Sequence, residues 1–127
     1  MNAGYWETAP NIHLLSLSGA LNASRAESAV QLFRDVSERG VHSVVVNLED
    51  VPFIDSRGLA ALIAGYRIFG SDPHNFQLTG IQDQPRLLFE LTGFDQVFEF
   101  VPHIPGLTGY RWPVFAPRPV VPENLVA

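Results

Sequence analysis

The chain contains no cysteine and no lysine among its 127 residues. Without cysteine there is no thiol nucleophile, no disulfide framework, no zinc ribbon and no iron–sulfur cluster. Without lysine there is no Schiff-base chemistry, no P-loop ending in Gly-Lys-Ser/Thr, and no receiver-type phospho-aspartate site with its customary lysine. All eight basic residues are arginines, scattered at positions 25, 34, 39, 57, 67, 86, 111 and 118, and thirteen acidic residues leave a net charge of −5. Binding to nucleic acid without regard to sequence needs clustered positive charge, so direct nucleic-acid contact is not expected. No apolar run approaches the ~18 residues of a spanning helix. The start, Met1-Asn2-Ala3-Gly4-Tyr5-Trp6-Glu7, has neither the basic nor the apolar region of a secretion signal. The expected setting is cytoplasmic, with no membrane partner.

Hydrophobic residues make up 46% of the chain and charged residues 17%. That composition is globular, and the length suits one domain with a real core. Tyr5-Trp6-Glu7-Thr8 and Ile12 to Leu17 read as the two strands of a hairpin, with Ala9-Pro10-Asn11 as its turn. Ser24 and Glu27 form a capping box for a first helix that buries Ala26, Val30, Phe33 and Val36 and stops at Gly40. Val41 to Leu48, with Val44-Val45-Val46, is the apolar run of a central parallel strand. Leu59, Leu62, Ile63, Tyr66 and Phe69 repeat at helical spacing up to Gly70. Asn75 to Thr79 is a strand, Gln84 to Thr92 a third helix burying Leu87, Leu88 and Leu91, and Val97 to Val101 the last strand. The order β-β-α-β-α-β-α-β predicts an α/β fold: a mixed, mostly parallel sheet of about five strands with helices packed against it.

Residues 1–101 are expected to form this domain, and residues 102–127 a proline-rich C-terminal arm. Six of the ten prolines fall in that arm, which carries a charge of +1 and leaves −6 on the rest. Proline at this density blocks helices and sheet interiors. Leu107, Tyr110, Trp112, Val114 and Phe115 are nevertheless too apolar for a solvated linker. Two readings stay open: an arm lying on its own domain, or one that docks on a partner or a second copy.

The segment Val44 to Leu62 concentrates the chemistry. A buried strand ends, a short apolar loop follows, and Asp55-Ser56 stand where a helix begins, the place where α/β sheets carry ligand sites. Either residue also serves simply as the helix N-cap. A serine there meets free N–H groups and the positive end of the helix dipole, which suits a phosphate. Gly58 in the first turn removes a side chain from whatever approaches, and Phe53 and Ile54 give the loop an apolar surface for docking on protein.

Other constellations are weaker. Ser56-Arg57-Gly58 is half of a hydrolase nucleophile elbow, followed by Asp83 and His103, but Ile54 stands where the elbow needs glycine. His13, His42, His74 and His103 lack metal-ligand spacing, so no metal and no cofactor are expected. Glu49-Asp50 reads as a solvated loop, and Asn22-Ala23-Ser24, although a glycosylation sequon, reads as part of a helix cap.

Over roughly residues 5–101 the chain resembles the STAS domain family, and within it the single-domain anti-sigma factor antagonists (anti-anti-sigma factors). The resemblance rests on Ser18-Gly19-Ala20-Leu21, on Val45-Val46-Asn47-Leu48 leading to Val51-Pro52-Phe53-Ile54-Asp55-Ser56-Arg57-Gly58-Leu59, and on Leu91-Thr92-Gly93-Phe94 with Val97-Phe98. It implies a STAS-like fold and a partner-switching regulator of transcription rather than an enzyme. It further implies that an anti-sigma factor serine kinase binds the unmodified protein and phosphorylates Ser56, and that a serine phosphatase reverses this. The partner surface so implied is Phe53, Ile54, Asp55, Ser56, Arg57, Gly58 and Leu59, on a monomer or weak dimer. Asp55 would orient the hydroxyl or cap the helix. Arg57 departs from the small residue that many relatives have, and is placed to pair with a phosphoryl on Ser56, a partner carboxylate or Asp55. Some STAS domains are not phosphorylated and act as scaffolds in signalling or transport complexes. That is the alternative reading, with a small serine hydrolase behind it.

Overall fold

A computed structural model describes residues 2–9 and 12–101. The expected order of elements is present: β1 (Asn2–Ala9), β2 (Ile12–Ser18), α1 (Ala23–Glu38), β3 (Val44–Asp50), α2 (Ser56–Ile68), β4 (Phe76–Thr79), α3 (Asp83–Thr92) and β5 (Glu99–Val101). The strands form one sheet in the order β1-β2-β3-β4-β5; β1 is antiparallel to β2 and the remaining pairs are parallel. Pro10, Asn11 and the arm 102–127 lie outside the described residues.

Each crossover moves one strand along the sheet in the same direction. Right-handed crossovers of that kind put every helix on the same face. The core shows this arrangement. Leu15, Leu17, Val44, Val46, Leu48, Phe76 and Leu78 from the sheet join Phe33 and Val36 of α1, Leu59 and Leu62 of α2, and Phe89 of α3 in one cluster. Alternate strand residues belong to it because the side-chain period of a strand is two. Gly65 brings α2 close: a Cβ there would fall 2.7 Å from the rings of both Phe33 and Phe76.

Several expectations need correction. Asn22, not Ser24, caps α1: its Oδ1 accepts from the Ser24 amide at 3.2 Å and the Ser24 hydroxyl at 2.7 Å, and Glu27 is exposed. An Asx side chain reaches the second amide of the helix without any help from a glutamate three residues further on. The third strand starts at Val44 rather than Val41, since the chain turns through Gly40 at φ +87° before pairing with β4. The last strand starts at Glu99, because the amides of Val97 and Phe98 both bond back to the Phe94 carbonyl in a 3₁₀ turn at Phe94–Gln96.

The third helix is rotated from its expected setting. Pro85 and Phe89 are buried and Leu88 is half-buried, whereas Leu87 and Leu91 are 53% and 76% exposed. Phe89 sits edge-to-face on both Phe98 and Phe100, with ring centroids 5.5 and 5.4 Å apart. One large aromatic in this wedge sets the rotation more strongly than two leucines do.

Candidate functional site

The loops leading into α1 and α2 are joined to each other. The Gly19 amide donates to the Asp50 carbonyl at 2.9 Å, Leu21 to Phe53 at 2.9 Å, and Asp55 to Leu21 at 3.2 Å, so Leu21 and Ile54 pair as a short parallel bridge. The two helices therefore start side by side. Asp55 serves both. Its Oδ1 accepts the Gly58 amide at 2.8 Å, capping α2, and its Oδ2 accepts the Ala23 amide at 3.1 Å, at the first residue of α1. One carboxylate thus neutralises an orphan donor at each of two helix starts and sits at the positive end of both dipoles.

Ser56 is the first residue of α2 and exposed. Among the described residues its hydroxyl makes no hydrogen bond. Asp55, with both oxygens occupied by backbone donors, caps rather than orients it. The amides of Ser56 and Arg57 are the first two of the helix and have no partner among the described residues. Arg57 is exposed and makes no ion pair there; the pairing with Asp55 considered from sequence does not occur. A phosphoryl group on Ser56 would meet two free amides and the positive end of a helix dipole, with an exposed arginine next in the chain.

The predicted surface divides into two layers. Phe53, 44% exposed, stands outward with Ser56 and Arg57, and Asp55 is half-buried among the amides it caps. Ile54 is fully buried, Leu59 is 4% exposed, and Gly58 is buried. These three offer no side chain to a partner and shape the surface from beneath. Gly58 also has a different purpose from the one expected: a Cβ there would lie 2.0 Å from the Leu21 carbonyl oxygen. The close approach it permits is internal, to the neighbouring loop.

Two contributions escaped the sequence. Gln84 clamps the loop from α3, its Oε1 accepting the Ile54 amide at 2.9 Å and its Nε2 donating to the Ile54 carbonyl at 3.0 Å. Leu87 lies one turn beyond Gln84 and Leu91 a turn further, so exposed apolar side chains continue from the clamp along α3. A glutamine that bonds a buried backbone leaves no pattern in sequence. The leucines are visible in the sequence, but their spacing points inward.

Fold and site define a class: a small α/β domain with helices on one sheet face, whose accessible chemistry is a serine at a helix start beside exposed apolar side chains. The chain belongs to the STAS domain family, whose model matches residues 6–106. An anti-sigma-B factor antagonist of Staphylococcus epidermidis is 23% identical over 86 residues, covering 68% of this chain and 80% of that protein. Among solved structures, an anti-sigma factor antagonist from Mycobacterium paratuberculosis superposes with a TM-score of 0.71 at 24% identity, over 81% of this chain and 86% of that one. The Bacillus cell fate determinant SpoIIAA, in its phosphorylated form, does so with a TM-score of 0.59 at 16% identity, over 80% and 92%.

Proposed function

We propose that this protein is an anti-sigma factor antagonist that works by partner switching. With Ser56 unmodified, the face carrying Phe53, Ser56 and Arg57 binds an anti-sigma factor serine kinase and so frees a sigma factor. Phosphorylation of Ser56 by that kinase ends the binding, and a serine phosphatase restores it. The protein acts as a regulator in the cytoplasm and not as an enzyme. The observation that carries this reading is Ser56 itself: exposed, with an uncommitted hydroxyl, on a helix start that Asp55 and Gln84 hold rigid from either side.

The physics of the switch follows from that position. Phosphorylation adds about −1.5 to −2 charge, and the free amides of Ser56 and Arg57 can donate to it without rearranging the domain. The change is therefore felt at the surface, where added bulk and charge meet the partner on a chain already at −5. The neighbour SpoIIAA, which has a phosphorylated form, supports the same direction, as do relatives named anti-sigma-B factor antagonist.

The test is incubation with ATP and a serine kinase of this type from the same organism, followed by mass spectrometry. One phosphoryl group on Ser56, absent in Ser56→Ala, is the expected result. A partner that binds while Ser56 stays unmodified would instead make the domain a scaffold in a signalling or transport complex.

A further inference from the structure

The sheet has a second face, on which none of the helices among the described residues packs. Its residues form two rows across the strands: Leu14, Val45, Gln77 and Glu99, then Ser16, Asn47, Thr79 and Val101. Parallel sheets occur almost only where both faces are covered. Here β2 to β5 are parallel, and α1, α2 and α3 all pack on the opposite face. Leu14 and Val45 stand outside the core cluster formed with those helices, yet are only 0% and 5% exposed. Ser16, Asn47 and Thr79 in the adjoining row are 8%, 1% and 4% exposed.

Asn47 adds a chemical requirement. Its Oδ1 accepts the Glu49 amide at 3.1 Å, which fixes the orientation of the side-chain amide, and its Nδ2 is a buried donor without a partner among the described residues. A buried donor calls for an acceptor from whatever covers the face. Proline-rich chain suits this demand, because each proline keeps its carbonyl and lacks its N–H.

We propose that residues 102–127 of the same molecule lie across this second face in extended form, with the apolar stretch Leu107 to Phe115 over Leu14 and Val45. The arm begins directly after Val101, at the end of a strand in that sheet. Crossing from β5 to β1 spans four strand spacings, roughly 19 Å, whereas an extended segment of 26 residues reaches about 80 Å. The arm is thus long enough to cross and return. Its six prolines keep it from adding hydrogen-bonded strands of its own, so it lies on the face rather than extending the sheet. This inference is independent of Ser56 and stands whether or not that residue is phosphorylated.

The absence of cysteine makes the test clean in the whole 127-residue chain. A nitroxide is attached to Gln77→Cys on the second face, or to Glu99→Cys in the same row should the first variant not fold. A control chain carries it on Leu87→Cys, exposed on the helix side. Amide resonances of residues 107–115 are expected to broaden with the second-face label, to stay sharp with the control, and to recover when Tyr110, Trp112 and Phe115 are changed together to serine. Equal broadening from both labels, or none from the second-face label, overturns the proposal. So does broadening found only when labelled chains are mixed with isotopically labelled, cysteine-free chains, which would assign the face to the arm of a second copy.

Discussion

Replacing Gly58 with alanine sets two effects of opposite sign against each other. Alanine is favoured over glycine inside a helix by about 1 kcal/mol, and Gly58 is the third residue of α2, so helix propensity alone forecasts a more stable protein. The packing forecasts the reverse. A Cβ there would lie 2.0 Å from the Leu21 carbonyl oxygen, 2.8 Å from its carbonyl carbon and 3.0 Å from its Cγ. That carbonyl accepts the Asp55 amide, and Leu21 donates to Phe53, so the backbone cannot yield without loosening both bonds. Overpacking costs about 1–3 kcal/mol, and each weakened hydrogen bond about 1 kcal/mol. Against a propensity gain of about 1 kcal/mol, the net loss is about 2–4 kcal/mol. In thermal unfolding this lowers Tm by roughly 8–16 °C, at about 4 °C per kcal/mol for a domain of this size. In urea it lowers the midpoint with an unchanged slope. Ala60→Gly, at an exposed position on the same helix, calibrates propensity alone and should cost about 1 kcal/mol. A Gly58→Ala protein as stable as the parent, or more so, would refute the reasoning.

Asp55→Ala leaves donors at two helix starts unpaired and should cost about 2–3 kcal/mol in urea unfolding. Asp55→Asn keeps one acceptor but turns an N–H₂ toward the other donor, and should fall between alanine and the parent. Leu87→Ser should change stability by less than about 0.5 kcal/mol, whereas a buried leucine at that position would cost several times more; a large loss in thermal unfolding would contradict the rotation of α3. Ser56→Asp places a negative charge on the first residue of α2 and should raise stability by up to about 1 kcal/mol at low salt, less at high salt. A drop in Tm for that variant would mean the helix start does not accept an anion.

Most of the fold is legible in the residues because its signals are local. Apolar runs, helical spacing and the punctuation at Gly40 and Gly70 mark all five strands and three helices in the right order. The errors arise where distant groups decide a local outcome. Three leucines in α3 look like a buried face, but Phe89 inserts between Phe98 and Phe100 and turns Leu87 and Leu91 outward. Val97 and Phe98 read as strand, but their amides are taken by the Phe94 carbonyl. At the site, Asp55 as a cap and Ser56 at the helix start follow from spacing. The second hydrogen bond of Asp55, the Gln84 clamp and the contact of Gly58 with Leu21 join segments about 30 residues or more apart in sequence. No short pattern carries such pairings. The same contacts explain why Ile54, Gly58 and Leu59 lie beneath the proposed docking surface without reaching it.

Partner switching at Ser56 is tested most directly by measuring how tightly the anti-sigma factor kinase binds three forms of the protein. The parent chain and Ser56→Ala should bind alike without ATP, and Ser56→Ala should go on binding when ATP is added while the parent is released. Ser56→Asp, with its fold intact, should bind at least tenfold more weakly, the loss of about 1.4 kcal/mol expected from a charge placed where the partner docks. Equal affinity of the kinase for Ser56→Asp and Ser56→Ala would contradict the account.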